Sequence, residues 1–171
     1  MTSRQDIEAA LKAADARLDA LKAQMETYAT DKLLDDGGKW CVRDCLSHVA
    51  AASNVGAAGQ RALARLNPPA AAPAAGGAPA MSVDERNAQA VEARVSKSVA
   101  ELIDEAKAGH AASFDALKGW DDAALAQQIP DAAAGRPSQS LAGNILRFLE
   151  YHEGGQMDRI EAALNVRGRW A

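Results

Sequence analysis

Apolar residues recur at alternating spacings of four and three near the start of the chain: Ile7, Leu11, Ala14, Leu18, Leu21 and Met25. That period belongs to a helix with one buried stripe. Ser3, with Asp6 three residues on, supplies a start signal. A second helix is predicted from about Val42 to Leu66, ended by Asn67-Pro68-Pro69. A third begins at the capping-box pattern Ser82-Val83-Asp84-Glu85. Its stripe carries Val91, Val95, Val99, Leu102, Ala106, Ser113 and Leu117, and Gly119 lies just past its end. A fourth runs from about Ser140 to Leu164, with Leu141, Ile145, Leu149, His152, Gln156, Ile160 and Ala163 on one face.

The connections differ in character. Residues 67–81, NPPAAAPAAGGAPAM, hold no charge and read as a flexible tether. Residues 118–139 contain Trp120, the short apolar set Leu125 and Ile129, and then Pro130 and Pro137, an irregular segment with room for one short helical turn. No internal repeat is visible. Four long helices make a four-helix bundle, and 171 residues suit one domain spanning 1–171.

Composition supports an all-α fold. Of the apolar residues, 41 are Ala, against 30 Leu, Ile, Val and Phe together. Alanine favours helix but buries little surface, so such a core comes from closely packed helices rather than β-branched strands. A net charge of −4 argues against a nucleic-acid backbone binder. No stretch approaches the roughly 18 to 20 apolar residues of a membrane span, and the first residues lack the apolar run of a signal peptide. Two cysteines make no disulfide framework for a domain of this size. A cytoplasmic protein is therefore expected.

Several polar residues fall on core faces. His152 and Gln156 sit four apart within the stripe of the fourth helix, so both point inward on neighbouring turns. On the second helix, Cys41, Cys45 and His48 share a face. Inward side chains on facing helices are how bundles build metal sites, and imidazole is the commonest protein ligand for such ions. The plain alternatives stand beside this. A single inward histidine is more often a hydrogen-bonded core residue, Gln156 alone is a buried amide, and Cys45 is a small hydrophobe. A thiol at position 41, by the helix N-terminus, is a candidate for a lowered pKa. Cys41 and His48 lie roughly 10 Å apart along the axis and cannot readily share one ion, whereas Cys45 and His48 can.

Topology decides what His48 can meet. Helix 2 spans roughly 36 Å, and 15 residues of extended tether reach about 45 Å, so a crossover that leaves helices 2 and 3 parallel is feasible. Helix 4 then runs antiparallel to helix 2. His48 falls about 10 Å and Gln156 about 12 Å from the same end, while His110 of helix 3 falls at the far end. A tether longer than a hairpin needs favours this parallel crossover.

Lys39-Trp40-Cys41-Val42-Arg43-Asp44-Cys45-Leu46-Ser47-His48-Val49 resembles the W-S/T-V-R-D-x-L-x-H-L opening of helix 2 in the DinB-like superfamily, which includes the DinB/YfiT proteins and the N-terminal domain of mycothiol-dependent maleylpyruvate isomerase. The Asn87 region with Val99 to Leu102, and the stretch from Phe148 to Leu164, are similar to that family's third and fourth helices. The resemblance implies an up-down-down-up bundle. It also implies a divalent metal, zinc or nickel, held by one histidine of helix 2 and an H-x-x-x-H or E-x-x-x-H pair of helix 4. Carried over, the ligand positions fall on His48, His152 and Gln156. Gln156 departs from the pattern, and an amide oxygen is a poorer ligand than imidazole for such ions. Glu153 is turned about 100° from His152 and is not expected to be a ligand. Cys41 stands where the family has a capping Ser or Thr. Trp40, Arg43 and Asp44 read as structural.

Members of that family use the metal to activate a low-molecular-weight thiol. The resemblance therefore implies a metal-dependent S-transferase or isomerase using a mycothiol-, bacillithiol- or glutathione-type thiol and a small-molecule substrate. Two rivals remain open: a non-catalytic ligand-binding or protective bundle with a degenerate metal site, and a structural homodimer in which the inward His and Gln form a hydrogen-bonded core pair.

Overall fold

The computed structural model describes residues 2–25, 30–31, 34, 40–66, 81–130 and 138–164, and it is mostly helical. The first helix, α1 (Arg4–Met25), buries Ile7, Leu11, Leu18, Leu21 and Met25, the stripe its spacing predicts. The Ser3 hydroxyl and backbone N–H both bond to the Asp6 carboxylate and open it. The other three predicted helices are each interrupted, for a local reason in every case.

The second divides into α2 (Val42–Ala52) and α3 (Val55–Leu66). At the joint the Ser53 hydroxyl donates back to the Ala50 carbonyl at 3.0 Å, while the Asn54 side chain accepts from the Ala57 N–H at 2.9 Å and caps a new helix. Gly109 backs onto this joint; a Cβ there would stand 2.3 Å from Ser53 Oγ and 3.0 Å from the Asn54 nitrogen.

The third divides into α4 (Val83–Glu92) and α5 (Val99–Lys118). The Ser82 capping box is present, but a second one, Ser98 with Glu101, starts α5 afresh. The Arg43 guanidinium gathers the carbonyls of Arg94, Val95 and Lys97 and holds the turn between them. The stripe consequently holds only from Leu102 onward, and Val95 is exposed rather than buried.

The fourth consists of α7 (Leu141–Arg147), a π-helical turn (Phe148–Glu153) and α8 (Gly154–Ala163). Ser140 caps it, accepting from the Gly143 N–H at 3.0 Å. Its buried residues include Leu141, Ile145, Leu149, Glu153 and Met157, four successive steps of four. On a regular α-helix those steps would carry the stripe about 160° around the axis. The π turn absorbs one extra residue and takes back about 100° of that drift. The predicted face therefore needs correction: Glu153 and Met157 are fully buried, while His152 and Gln156 are half-buried.

Between α5 and α7 the short helical turn expected there is α6 (Asp122–Ala126), and a two-residue antiparallel ladder, β1 (Gln128–Ile129) with β2 (Gln139–Ser140), is an addition that the sequence did not suggest. Most of the predicted tether, 67–80, lies outside the described residues.

Contacts set the helix directions. Cys45 and His48 of α2 meet Gln156 and His152 in reverse order, so α2 is antiparallel to the fourth helical run. Gly109 lies on Ser53, and Gly56 lies on Ser113 and Ala116, so α2–α3 and α5 run parallel. Asp15 meets His110 and Asp19 meets Lys107, so α1 is antiparallel to α5. One apolar cluster joins Leu18, Leu21, Leu46, Leu102, Ile103, Met157 and Ile160; a second joins Ile7, Leu11, Val55, Leu117, Trp120, Leu141 and Ile145. Each such side chain contributes roughly 1.5 to 3 kcal/mol on burial. Among the described residues no helix is long and apolar enough to cross a membrane.

Candidate metal centre

His48 owes its place to the start of α2. The Asp44 carboxylate accepts the Cys41 backbone N–H at 3.0 Å, closing the first turn. Two turns later His48 is buried, with the Trp40 ring 5.0 Å from its own. His152 comes from the π turn of the facing helix, where its ring stacks on Phe148 at 4.4 Å and 18°. The two imidazoles meet edge to edge, Nε2 to Nε2, at 3.1 Å.

One Nε2–H donates to the other's lone pair, so at least one ring must be neutral. Burial, and then the neighbouring His152, pull the His48 pKa down to about 4. Burial lowers that of His152 as well, against a smaller opposing effect of Glu153. Both rings are therefore neutral at pH 7, the form that ligates. The Nδ1 atoms of both are buried without a partner among the described residues.

One turn along, the next rung is Cys45 with Gln156. The Cys45 thiol donates to Gln156 Oε1 at 2.8 Å, and Arg159 Nη1 donates to the same oxygen at 2.7 Å. Burial, followed by the nearby Asp44 charge, pushes the Cys45 thiol up to about 12, which keeps it protonated. Cys41 is only partly buried, yet its pKa is raised, chiefly by burial. The expected lowering at the helix start does not occur.

His110 departs from expectation. It lies level with Ser53, roughly 8 Å along the bundle from His48 rather than at the far end. It is fully buried and bridges two carboxylates, Asp15 Oδ1 on Nδ1 at 2.6 Å and Glu153 Oε1 on Nε2 at 2.8 Å. Burial disfavours its charge, but Glu153 and then Asp15 outweigh it, so its pKa is raised. Spacing on one helix could not reveal this bridge, because its members come from α1, α5 and the π turn. Glu153 does face away from His152, as its helical angle implies.

The family model of the DinB superfamily matches residues 2–155, nine-tenths of the chain. The chain belongs to the DinB superfamily. The match contains His48 and His152 and ends one residue before Gln156. Comparison with curated proteins and with solved structures found no match.

A metal centre of the kind the DinB resemblance implies fits this site in part. Two nitrogens bound to a tetrahedral zinc at about 2.05 Å lie about 3.3 Å apart, close to the 3.1 Å between the facing Nε2 atoms. The orphaned Nδ1 atoms are a departure, since ligating histidines usually donate that N–H to an acceptor. Gln156 fits least well, its oxygen already serving two donors. Among the described residues no group of three or more His, Cys, Asp or Glu is placed to hold an ion. A cavity of about 1080 Å³ lies elsewhere, lined by residues of α1, α6 and α7 and by neither histidine.

Proposed function

We propose that this DinB protein binds a divalent metal, zinc or nickel, through His48 and His152, with Gln156 as a weak third donor. It acts on a low-molecular-weight thiol of the mycothiol, bacillithiol or glutathione type, as an S-transferase or isomerase. The observation that carries the reading is the pair of neutral imidazoles presenting Nε2 to Nε2 at 3.1 Å from facing helices. The helix directions support an up-down-down-up bundle, in which the second and fourth runs meet side by side at this point.

When bound, the ion would stabilise the thiolate of a coordinated thiol and so supply a nucleophile at neutral pH. The chain's own residues do the rest. Trp40 packs beside His48 and Phe148 covers one face of His152, so each ring is held by an aromatic neighbour. Half-buried His152 and Gln156 leave one side of the site open to a small molecule. Gln156 joins the site only by releasing Cys45 and Arg159, so a weaker metal affinity follows than three imidazoles would give.

The reading is tested by loading purified protein with zinc or nickel and adding each thiol in turn while following thiolate absorption in the ultraviolet. An increase in the loaded protein that is lost in His48→Ala supports it. Metal uptake without thiolate formation by any of the three would end the thiol mechanism.

A second reading rests on a different observation. The cavity of about 1080 Å³ is lined by Arg4, Leu125, Leu146, Arg147 and Tyr151 among others, a mixed apolar and charged surface suited to a small organic ligand. A non-catalytic ligand-binding protein would use that cavity and not the histidines.

A further inference from the structure

We infer that Glu153 is a positioning residue for the imidazole pair: through its buried bridge to His110 and Asp15 it fixes the π-helical turn that aims His152 at His48. This rests on the reading of the pair as the metal-binding element, and it assigns the orienting task to residues outside that pair.

The argument starts from what does not hold His152. Its Nδ1 has no partner among the described residues, which supply none of the polar contact that ordinarily orients a ligating imidazole. What remains is the Phe148 stack and the Nε2 contact with His48, and Phe148 lies in the same π turn. The direction of the ring therefore depends on the backbone of that turn. A π turn is a departure from regular helix that persists only where its surroundings specify it.

The surroundings specify it at its last residue. Glu153, 1% exposed, reaches His110 of α5 at 2.8 Å, and His110 reaches Asp15 of α1 at 2.6 Å, so two other helices grip the turn through one side chain. Immediately beyond, Arg17 of α1 donates to the Gly154 carbonyl at 3.2 Å and pairs with Asp158 and Glu161 of α8. Glu153 Oε2 is buried with no partner among the described residues. A carboxylate left half-satisfied in a core is not what packing alone selects, since a side chain of similar volume without charge would fill the same space. Because 152 and 153 are consecutive, anchoring Glu153 toward α5 sends His152 toward α2. Loss of the anchor lets the turn relax to regular α-helix, which rotates His152 away from His48.

The test uses the full chain, whose three histidines make ring-nitrogen NMR assignment direct. In metal-free protein, the His48 and His152 rings of the parent should show one shared Nε2–H. In Glu153→Ala that shared proton should be lost while circular dichroism retains the helix content, and zinc affinity should fall about 10- to 100-fold. Glu153→Gln, which still bonds His110, should retain the shared proton and stay within about threefold of the parent. If Glu153→Ala does not fold, Asp15→Ala loosens the outer end of the bridge and should weaken both readouts in the same direction. An intact His48–His152 proton in Glu153→Ala, or in Asp15→Ala where that variant must serve, overturns the inference even if zinc binds. A parent that takes up no zinc but loses the shared proton on Glu153→Ala would leave this positioning role standing and remove the metal reading instead.

Discussion

His48 Nε2 lies 3.1 Å from His152 Nε2, while neither ring's Nδ1 has a partner among the described residues. Each imidazole thus spends its one good contact on the other. An ion between the two would replace a single shared proton with two nitrogen–metal bonds. Because the third expected donor is an amide already bonded to Cys45 and Arg159, affinity is limited at position 156. Gln156→His should therefore tighten zinc binding by roughly tenfold or more, as imidazole suits zinc better than an amide oxygen. Competition against a zinc-sensitive dye measures it; unchanged affinity would mean that position 156 does not reach the site.

The two buried histidine systems should give opposite pH dependences of stability, measured with a chelator present. Unfolded histidine titrates near about 6.5. His48 is held down to about 4 when folded, so between those values the unfolded chain takes up a proton that the folded one refuses. Its effect is a loss of stability as pH falls from about 6.5 toward 4. His110 is shifted the other way, and its stabilisation is complete below about 6.5 and fades as pH rises through its higher folded value. Melting temperature against pH should show His48→Ala flattening the acid limb and His110→Ala flattening the neutral-to-alkaline one. A parallel effect of both variants at every pH would contradict the assignment.

Removing His110 should be among the most damaging single changes. His110→Ala leaves the buried Glu153 carboxylate, and partly buried Asp15, without their shared donor. A loss of about 3 to 5 kcal/mol is expected from breaking such a buried pair. Urea denaturation checks this, and a loss below about 1 kcal/mol would show that the bridge contributes little.

Gly109 is required by a close approach rather than by its backbone angle. An added methyl group would meet Ser53 Oγ at 2.3 Å and the backbone of Asn54 at 3.0 Å. Gly109→Ala should destabilise by about 1 to 3 kcal/mol through overpacking at the α2–α3 joint. Thermal unfolding checks it, and an unchanged melting point would contradict the close contact.

Much of this arrangement was legible along the chain, because its signals are local. The 3.6-residue stripe of α1 translates directly into Ile7, Leu11, Leu18, Leu21 and Met25 at zero to a few per cent exposure. The rise per residue, taken with a parallel crossover, brings His48 and Gln156 to similar heights, one turn off the structure, which pairs His48 with His152 and Cys45 with Gln156. The breaks were less legible although their signals exist. Ser98 with Glu101 repeats the pattern that marks Ser82 with Glu85, yet an apolar stripe continuing through Val95 and Val99 hides it. The π turn announces itself in the spacing 141, 145, 149, 153, 157 and in Gly154-Gly155, but only if Glu153 is taken as a core residue, which a charged side chain discourages. The Asp15–His110–Glu153 bridge was out of reach, because no spacing within one helix encodes which residues of three helices meet.

The central claim, that the imidazole pair holds a divalent ion, is tested most directly by metal content. Protein purified without a histidine tag should carry, or take up from added zinc or nickel, close to one ion per chain, and His48→Ala should carry none. Protein that stays metal-free under saturating zinc or nickel, or a His48→Ala variant that binds as well as the parent, would contradict it.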